Sequence, residues 1–327
     1  VVTDKDLAGN TVSSTLNFTL DATAPTLDQT TSAVTGDTWV VSYADMGSGF
    51  SSELPATSNF TVTVYSNADV TKPTIVSVTS VRIDASNQQI ILTLASAVQS
   101  GDTVQVVYTP GSGTNLKDIA GNVLAATTFS ASQVINKTAP AELLNITSMS
   151  GDSGSLGTDF ITNDGTSGKV VTGTISSALR TGEVLQVSFN GGATWQTATT
   201  TGTSWTATDS SGHTGNWTIQ GKVVSSTNIN GAVATQAVLY NATLEASPTL
   251  SLTTDSGTSG DKITNSALIT TNSLLQHSNL ANVTTRTYIV DGVSSSTYVA
   301  PTTNGSHQVV VTDKDLAGNT VSSTLNF

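Results

Sequence analysis

The chain has 327 residues and a formal net charge of −12, from 11 Lys and Arg against 23 Asp and Glu, yet only 10% of its residues are charged. That acidic balance excludes nucleic acid as a partner, because phosphate binding needs clustered Lys and Arg. The lack of cysteine excludes disulfides, thiolate zinc sites and thiol chemistry.

Length predicts two or three domains. No apolar run nears the roughly 18 residues that span a bilayer, so no membrane insertion is expected. Residues 1–18, VVTDKDLAGNTVSSTLNF, recur letter for letter at 310–327, an offset of 309. Such identity predicts a tandem array with a 309-residue unit. The opening on Val1, without a starter Met or signal peptide, reads as a piece of something longer. Within the unit, DATAP ends at Pro25, NKTAP at Pro140 and EASP at Pro248. Pro sits comfortably where a strand begins, so these are read as linkers. They predict a terminal strand segment of a preceding module at 1–20, then modules at 21–136, 137–244 and 245–327.

Strands follow in chain order. SNFTVTV (58–64), QQIILTL (88–94) and DTVQVVY (102–108) read as strands, with alternation at Phe60, Val62, Val64 and again at Val104, Val106, Tyr108, as in a half-buried strand. EVLQVSF (183–189), the turn NGG and ATWQTAT read as a hairpin. Trp217 and Ile219 keep the same period, and TRTYIV (285–290), a DG turn and STYVAP (296–301) follow. No helical period persists. Short strands at regular spacing predict an all-β chain with a β-sandwich in each module.

SNFTVTV and the run from VTSVRIDASNQQIILTL to NLKDIAGNVLAA resemble the long cyanobacterial-type repeat of giant bacterial surface proteins. LRTGEVLQVSFNGGATWQTAT and TDSGTSGDKITNSALI resemble the Ig-like modules of large RTX-type and biofilm adhesins. The D-x-A-G-N element common in that class stands at 6–10, 118–122 and 315–319. The resemblance implies three tandem Ig-like sandwiches at a bacterial cell surface, outside the cell. Segment 65–77 departs from it, being longer than the short turn expected there.

Candidate chemistry lies in Asp- and Asn-bearing loops: Asp4, Asp6 and Asn10; their copies Asp313, Asp315 and Asn319; Asp118 and Asn122; Asp152, Asp159 and Asp164; Asp255 and Asp261. Oxygen ligands spaced by Gly and Ser suit a hard cation such as Ca²⁺; equally, Asp, Asn and Gly are ordinary turn residues. The resemblance tips the set toward structural Ca²⁺. In a sandwich, the D-x-A-G-N loop precedes the last strand and so faces its own module's entry linker. The D-S-G loop follows the first strand and faces the exit. Each junction then collects an early loop, a linker and the next module's late loop. Two junctions are ligand-rich. One has Asp152, Asp159 and Asp164 meeting Glu245, Asp313, Asp315 and Asn319. The other has Asp255 and Asp261 meeting the linker Asp21, then Asp118 and Asn122. The remaining junction, with Asp37, Asn136–Lys137 and SSTNING (225–231), is expected to be soft and cation-free.

His213, His277 and His307 share no metal spacing and read as surface residues; alternation places Trp217 and Trp195 in the core. No Ser-His-Asp arrangement is visible, so no enzyme is expected. The expected function is an extender that holds an adhesive tip away from the cell, with neighbouring repeats as partners. The alternatives are a filament or sheath subunit assembling by strand addition through residues 1–18, and a ligand-binding adhesin module.

Overall fold

The computed structural model describes every residue except 46, 68, 155, 244–245 and 275–282, and the side chains of 283 and 284. The chain divides into two compact units: Val1–Ala139 with Arg180–Gly182, and Pro140–Leu179 with Glu183–Phe327. The division falls inside the NKTAP linker, and the second unit holds both the second and third expected modules. Among the described residues the chain is strand and turn apart from one 3₁₀ turn at Thr57–Asn59, and no helix is long and apolar enough to cross a membrane.

The first unit opens with a hairpin of β1 (Val2–Lys5) and β2 (Thr11–Ser14). Next come β3 (Thr26–Thr35), β4 (Thr38–Ala44), β5 (Phe60–Ser66), β6 (Asp69–Val76), β7 (Val78–Asp84), β8 (Gln89–Leu94), β9 (Thr103–Tyr108), β10 (Thr127–Phe129) and β11 (Ile135–Asn136). They form a sheet ordered β11-β3-β4-β8-β7 and another ordered β10-β9-β5-β6. Period-2 alternation dictates the core: Trp39 and Val41 on β4, Ile90 and Leu92 on β8, and Val104, Val106 and Tyr108 on β9 are buried in one cluster. Trp39 meets Phe129 edge to face at 5.1 Å and donates its indole N–H to the buried Ser32 hydroxyl at 2.9 Å. The long segment 65–77 resolves into β6, an edge strand on β5 that is exposed almost throughout. Only an edge tolerates Pro73 in its middle, since proline has no N–H to give a neighbour.

The second unit continues with β12 (Leu144–Met149), β13 (Ile161–Thr162), β14 (Lys169–Ile175), β15 (Val184–Ser188), β16 (Gln196–Thr197), β17 (Thr199–Thr201), β18 (Ser204–Asp209), β19 (Trp217–Val224) and β20 (Ala234–Tyr240). Sheets β12-β14-β18-β17 and β13-β20-β19-β15-β16 share one core around Val171, Leu185, Val187, Trp205 and Ile219. After these come β21 (Leu250–Leu252), β22 (Ile269–Thr271), β23 (Val283–Val290), β24 (Val293–Ser295), β25 (Gln308–Asp315) and β26 (Thr320–Asn326). They make a two-stranded pair and a sheet ordered β24-β23-β25-β26. All-β architecture in separate small sheets therefore holds along the chain. Trp217 is buried as expected, whereas Trp195 is only half-buried, with the Lys222 ammonium 4.1 Å from its ring centroid. His213 is not a free surface residue: it bonds the buried Asp209 at 2.7 Å and stacks on Trp217 at 4.1 Å. His307 pairs with Asp291 at 2.7 Å, and His277 lies outside the described residues.

Candidate cation sites at the module poles

The three D-x-A-G-N elements fold identically, for a local reason. One carboxylate oxygen of Asp6, Asp118 or Asp315 accepts the N–H of Asn10, Asn122 or Asn319 at 2.7–2.8 Å. The other oxygen accepts the same Asn's side-chain amide, again at 2.7–2.8 Å. Gly9, Gly121 and Gly318 supply the left-handed residue at φ 91°, 95° and 90°, which only glycine adopts cheaply. The bonds from Asn10 hold the Asp6 carboxyl below its ordinary value. SSTNING makes the same turn without a carboxylate: Ser225 Oγ accepts the Ile229 N–H at 3.0 Å, and Asn228 takes the left-handed place at φ 62°.

The linkers share a second local motif. Asp21, Asn136 and Asn241 each accept the N–H two residues ahead, from Thr23, Thr138 and Thr243 at 3.1, 2.8 and 3.4 Å. Late loops dock on these linkers. Asn122 Nδ2 donates to the Asp21 carbonyl at 3.1 Å, and Asn319 Nδ2 to the Asn241 carbonyl at 2.9 Å.

In the first unit this docking gathers charge. Carboxylate oxygens of Asp21, Asp45 and Asp118 lie within 4.8 Å of one another. Asp45 is the member that sequence reading misses; the signal is its D-M-G-S-G loop, spaced by Gly and Ser like the other candidates. That loop is pinned over the late loop, with the Ile119 N–H donating to the Gly49 carbonyl at 2.8 Å and the Ala120 N–H to Ser48 Oγ at 3.0 Å. Asp21 accepts the Ser48 N–H at 2.6 Å, and its bonds to Ser48 and Thr23 hold its carboxyl below the ordinary value. Asp45 accepts the Gly49 N–H with one oxygen, while the other is buried without a partner. Nearby Lys117 is committed to Glu53 at 2.7 Å. Three carboxylates so close repel one another unless a proton or a cation intervenes, and an oxygen-only set suits Ca²⁺.

The early loops of the second unit share most of their bonds and differ at the first Asp. Ser153 and Ser256 accept the N–H of Asn163 and Asn265 at 2.8 and 2.7 Å, and Phe160 and Lys262 both sit at φ 58°. Asp152 accepts the Phe160 N–H at 3.0 Å and Asp255 the Gly260 N–H at 2.7 Å, each leaving its other oxygen buried and unpartnered. Burial raises the Asp152 carboxyl above its ordinary value, and the charge of Asp159 adds to this. Asp159 and Asp261 cap their own loops, each accepting an N–H two residues on, from Ile161 at 3.0 Å and Ile263 at 2.9 Å.

Between β20 and β26 the early loop, linker and late loop meet as the sequence predicts, but by direct hydrogen bonds. Ser153 Oγ donates to the Ala317 carbonyl at 2.5 Å and Asn163 Nδ2 to Asn319 Oδ1 at 3.0 Å. Asn241 stands where Asp21 stands in the first unit, and its amide donates to Asp315 Oδ2 at 2.9 Å. An amide here supplies the positive end that three carboxylates lack. Glu245 lies outside the described residues.

Two candidates are drawn elsewhere. Asp313 is on β25, not in the loop, and both its oxygens accept from Arg286 at 2.6 and 2.7 Å, so they are not free to ligate. Its sequence twin Asp4 is exposed on β1. Asp164 pairs at 2.8 Å with Lys169, whose side chain is 3% exposed. The Lys169 ammonium and then the Thr166 hydroxyl pull the Asp164 carboxyl down to about 2. Because the folded value lies below the ordinary 3.8, the stabilisation is present above 3.8 and is lost as pH falls toward about 2. Urea melts across that window should therefore show stability falling in the parent chain and a flatter profile in Asp164→Asn.

Residues 20–113, under a third of the chain, match the SWM repeat family, described as a flagellar system-associated repeat. Among curated protein sequences none matches significantly. Among solved structures the chain is similar to the tetra-tandem repeat in the extending region of a large adhesion protein, at 17% identity and TM-score 0.26, covering 92% of this chain and 71% of that one. It is similar to a structure concerned with host cell surface retention of a 1.5-MDa bacterial ice-binding adhesin, at 17% identity and TM-score 0.30, covering 92% and 96%. A third similarity is to the N-terminal part of the bacterial S-layer protein SbsC, at 17% identity and TM-score 0.27. That match takes in 66% of this chain but only 44% of the S-layer fragment's length.

Proposed function

We propose that this chain is the repeating element of an extracellular bacterial surface extender, with Ca²⁺ held at module entries by Asp21, Asp45 and Asp118. The observation that carries the proposal is the convergence of these three carboxylates on a linker, in a chain whose first 18 residues return at 310–327. A cation bound between a linker and its module favours one linker conformation by its binding energy, as any ligand that selects one state must. Extracellular modules bind Ca²⁺ with Kd of roughly 10⁻⁴–10⁻³ M, so millimolar calcium outside the cell would stiffen the array. The role is mechanical: to hold an adhesive tip away from the surface for attachment or biofilm formation. The family match over 20–113 to a flagellar system-associated repeat accords with an appendage-like setting.

A filament or sheath subunit is the second reading, favoured by one observation. The β1–β2 hairpin is exposed along its whole length and offers strand edges to another chain. Thermal unfolding and X-ray scattering with millimolar Ca²⁺ or EDTA separate the two. For the extender, calcium raises the melting temperature and lengthens the particle at constant mass. If calcium leaves both unchanged while mass grows with concentration, assembly replaces the extender.

A further inference from the structure

We infer that the early loop Asp255–Ser266 is a socket for the D-x-A-G-N loop of the first module in a second copy of this repeat, and that the joint closes without metal. The inference rests on the tandem-repeat reading above but not on its calcium.

The socket is recognised from a filled counterpart in the same chain. In the loop Asp152–Asp164, Gly154 lies so close to the late loop that a Cβ there would stand 2.0 Å from the Leu316 carbonyl oxygen. Ser153 Oγ and Asn163 Nδ2 donate to Ala317 and Asn319. The loop Asp255–Ser266 reproduces this skeleton: Ser256 for Ser153, Gly257 for Gly154 and Asn265 for Asn163, with Gly257 at φ 103° against 112°. Here, however, a Cβ at Gly257 would meet nothing within 4 Å, and Gly257 and Asn265 are exposed.

The matching key has a free face as well, although its Ile119 and Ala120 N–H groups are bonded to Gly49 and Ser48. Asp118–Asn122 has the hydrogen bonds of Asp315–Asn319, yet Ala317 is fully buried while Ala120 is exposed and Ile119 is 69% exposed. Asn122 spends its amide on Asp118 and the Asp21 carbonyl. Its Oδ1, the atom that takes Asn163's counterpart bond in Asn319, accepts nothing from a described residue. A free socket at one module and a free key at another make a head-to-tail contact, which propagates rather than closing. The repeat of 1–18 at 310–327 sets the order: after such a terminal segment comes a first-type module.

Because the chain has no cysteine, the joint can be trapped cleanly. Thr258→Cys with Ile119→Cys in one chain, at about the millimolar concentration a short covalent linker supplies, is treated in EDTA with a short bis-maleimide. The expected result is a regular series of head-to-tail multimers that neither single variant forms. Adding Asn265→Ala should slow their formation about fivefold, the worth of one hydrogen bond, with an unchanged melting curve. Multimers no more abundant than in the single variants, or indifferent to Asn265→Ala, overturn the inference. Since EDTA is present throughout, neither result bears on the calcium reading.

Discussion

Asp313→Ala is expected to destabilise the second unit by about 3–5 kcal/mol, with the same loss in Ca²⁺ and in EDTA. The Asp313 side chain is 0% exposed and that of Arg286 8%. The guanidinium makes two parallel bonds to the carboxylate and a third, at 2.6 Å, to the Asn272 carbonyl just after β22. Removing the carboxylate leaves a buried cation without its counter-charge, which costs far more than the pair contributes net. Asp313 in turn raises the Arg286 pKa further above its already high ordinary value. The chain carries its own control: Asp4 has the same sequence neighbours but lies on an exposed hairpin, so Asp4→Ala should change stability by less than about 0.5 kcal/mol. Urea melts of both variants check this. A loss at Asp313 that appears only in calcium would make it a metal ligand after all.

Ten-millimolar Ca²⁺, roughly 10–100 times the Kd typical of extracellular modules, is expected to stabilise the first unit by about 1.4–2.7 kcal/mol. Asp45→Asn should abolish that gain and, in EDTA, be neutral or slightly stabilising, because it removes one of three like charges. This inversion of sign between calcium and EDTA separates a cation site from a mere turn, where the substitution would cost the same in both. The second unit offers the converse. Asn241→Asp replaces the amide that donates to Asp315 with a carboxylate, so it should cost about 1–3 kcal/mol in EDTA. Calcium should restore part of that loss, making an indifferent joint calcium-dependent. Differential scanning calorimetry of the parent and both variants, each with and without EDTA, reads all of these.

Much of the fold was legible because it is local. Alternation at 58–64 and 102–108 marked Phe60, Val62, Val104, Val106 and Tyr108, and all five lie in the core. The D-x-A-G-N turns were legible too, since every bond in them closes within five residues. The poles were placed by counting along a strand, and the contacts of Ser153 and Asn163 with Ala317 and Asn319 follow that placement. The membership of the acidic cluster was less legible. Asp45 reaches Asp21 and Asp118 only because the loop after β4 folds across the late loop. Asp164 and Asp313 were grouped with the ligands by proximity in sequence, whereas the loop before β14 brings Asp164 to Lys169 and strand β25 turns Asp313 to Arg286.

The repeated 18 residues separate the two kinds of information. Val-Val-Thr-Asp-Lys-Asp-Leu-Ala-Gly-Asn-Thr-Val-Ser-Ser builds an antiparallel hairpin around the same Asp–Asn turn in both places, so the sequence alone determines that much. At the start of the chain the hairpin holds four residue pairs, with Val2 70% and Leu16 79% exposed. At 310–327 it belongs to seven pairs of β25–β26, with Val311 at 0% and Leu325 at 6%. At 310–327 β23 lies alongside, and there Asp313 meets Arg286. Turn geometry is set by groups a few bonds apart, which the sequence carries wherever it goes. Burial, ion pairing and the grouping of carboxylates are set by which strand lies alongside, and that is decided by tertiary structure alone.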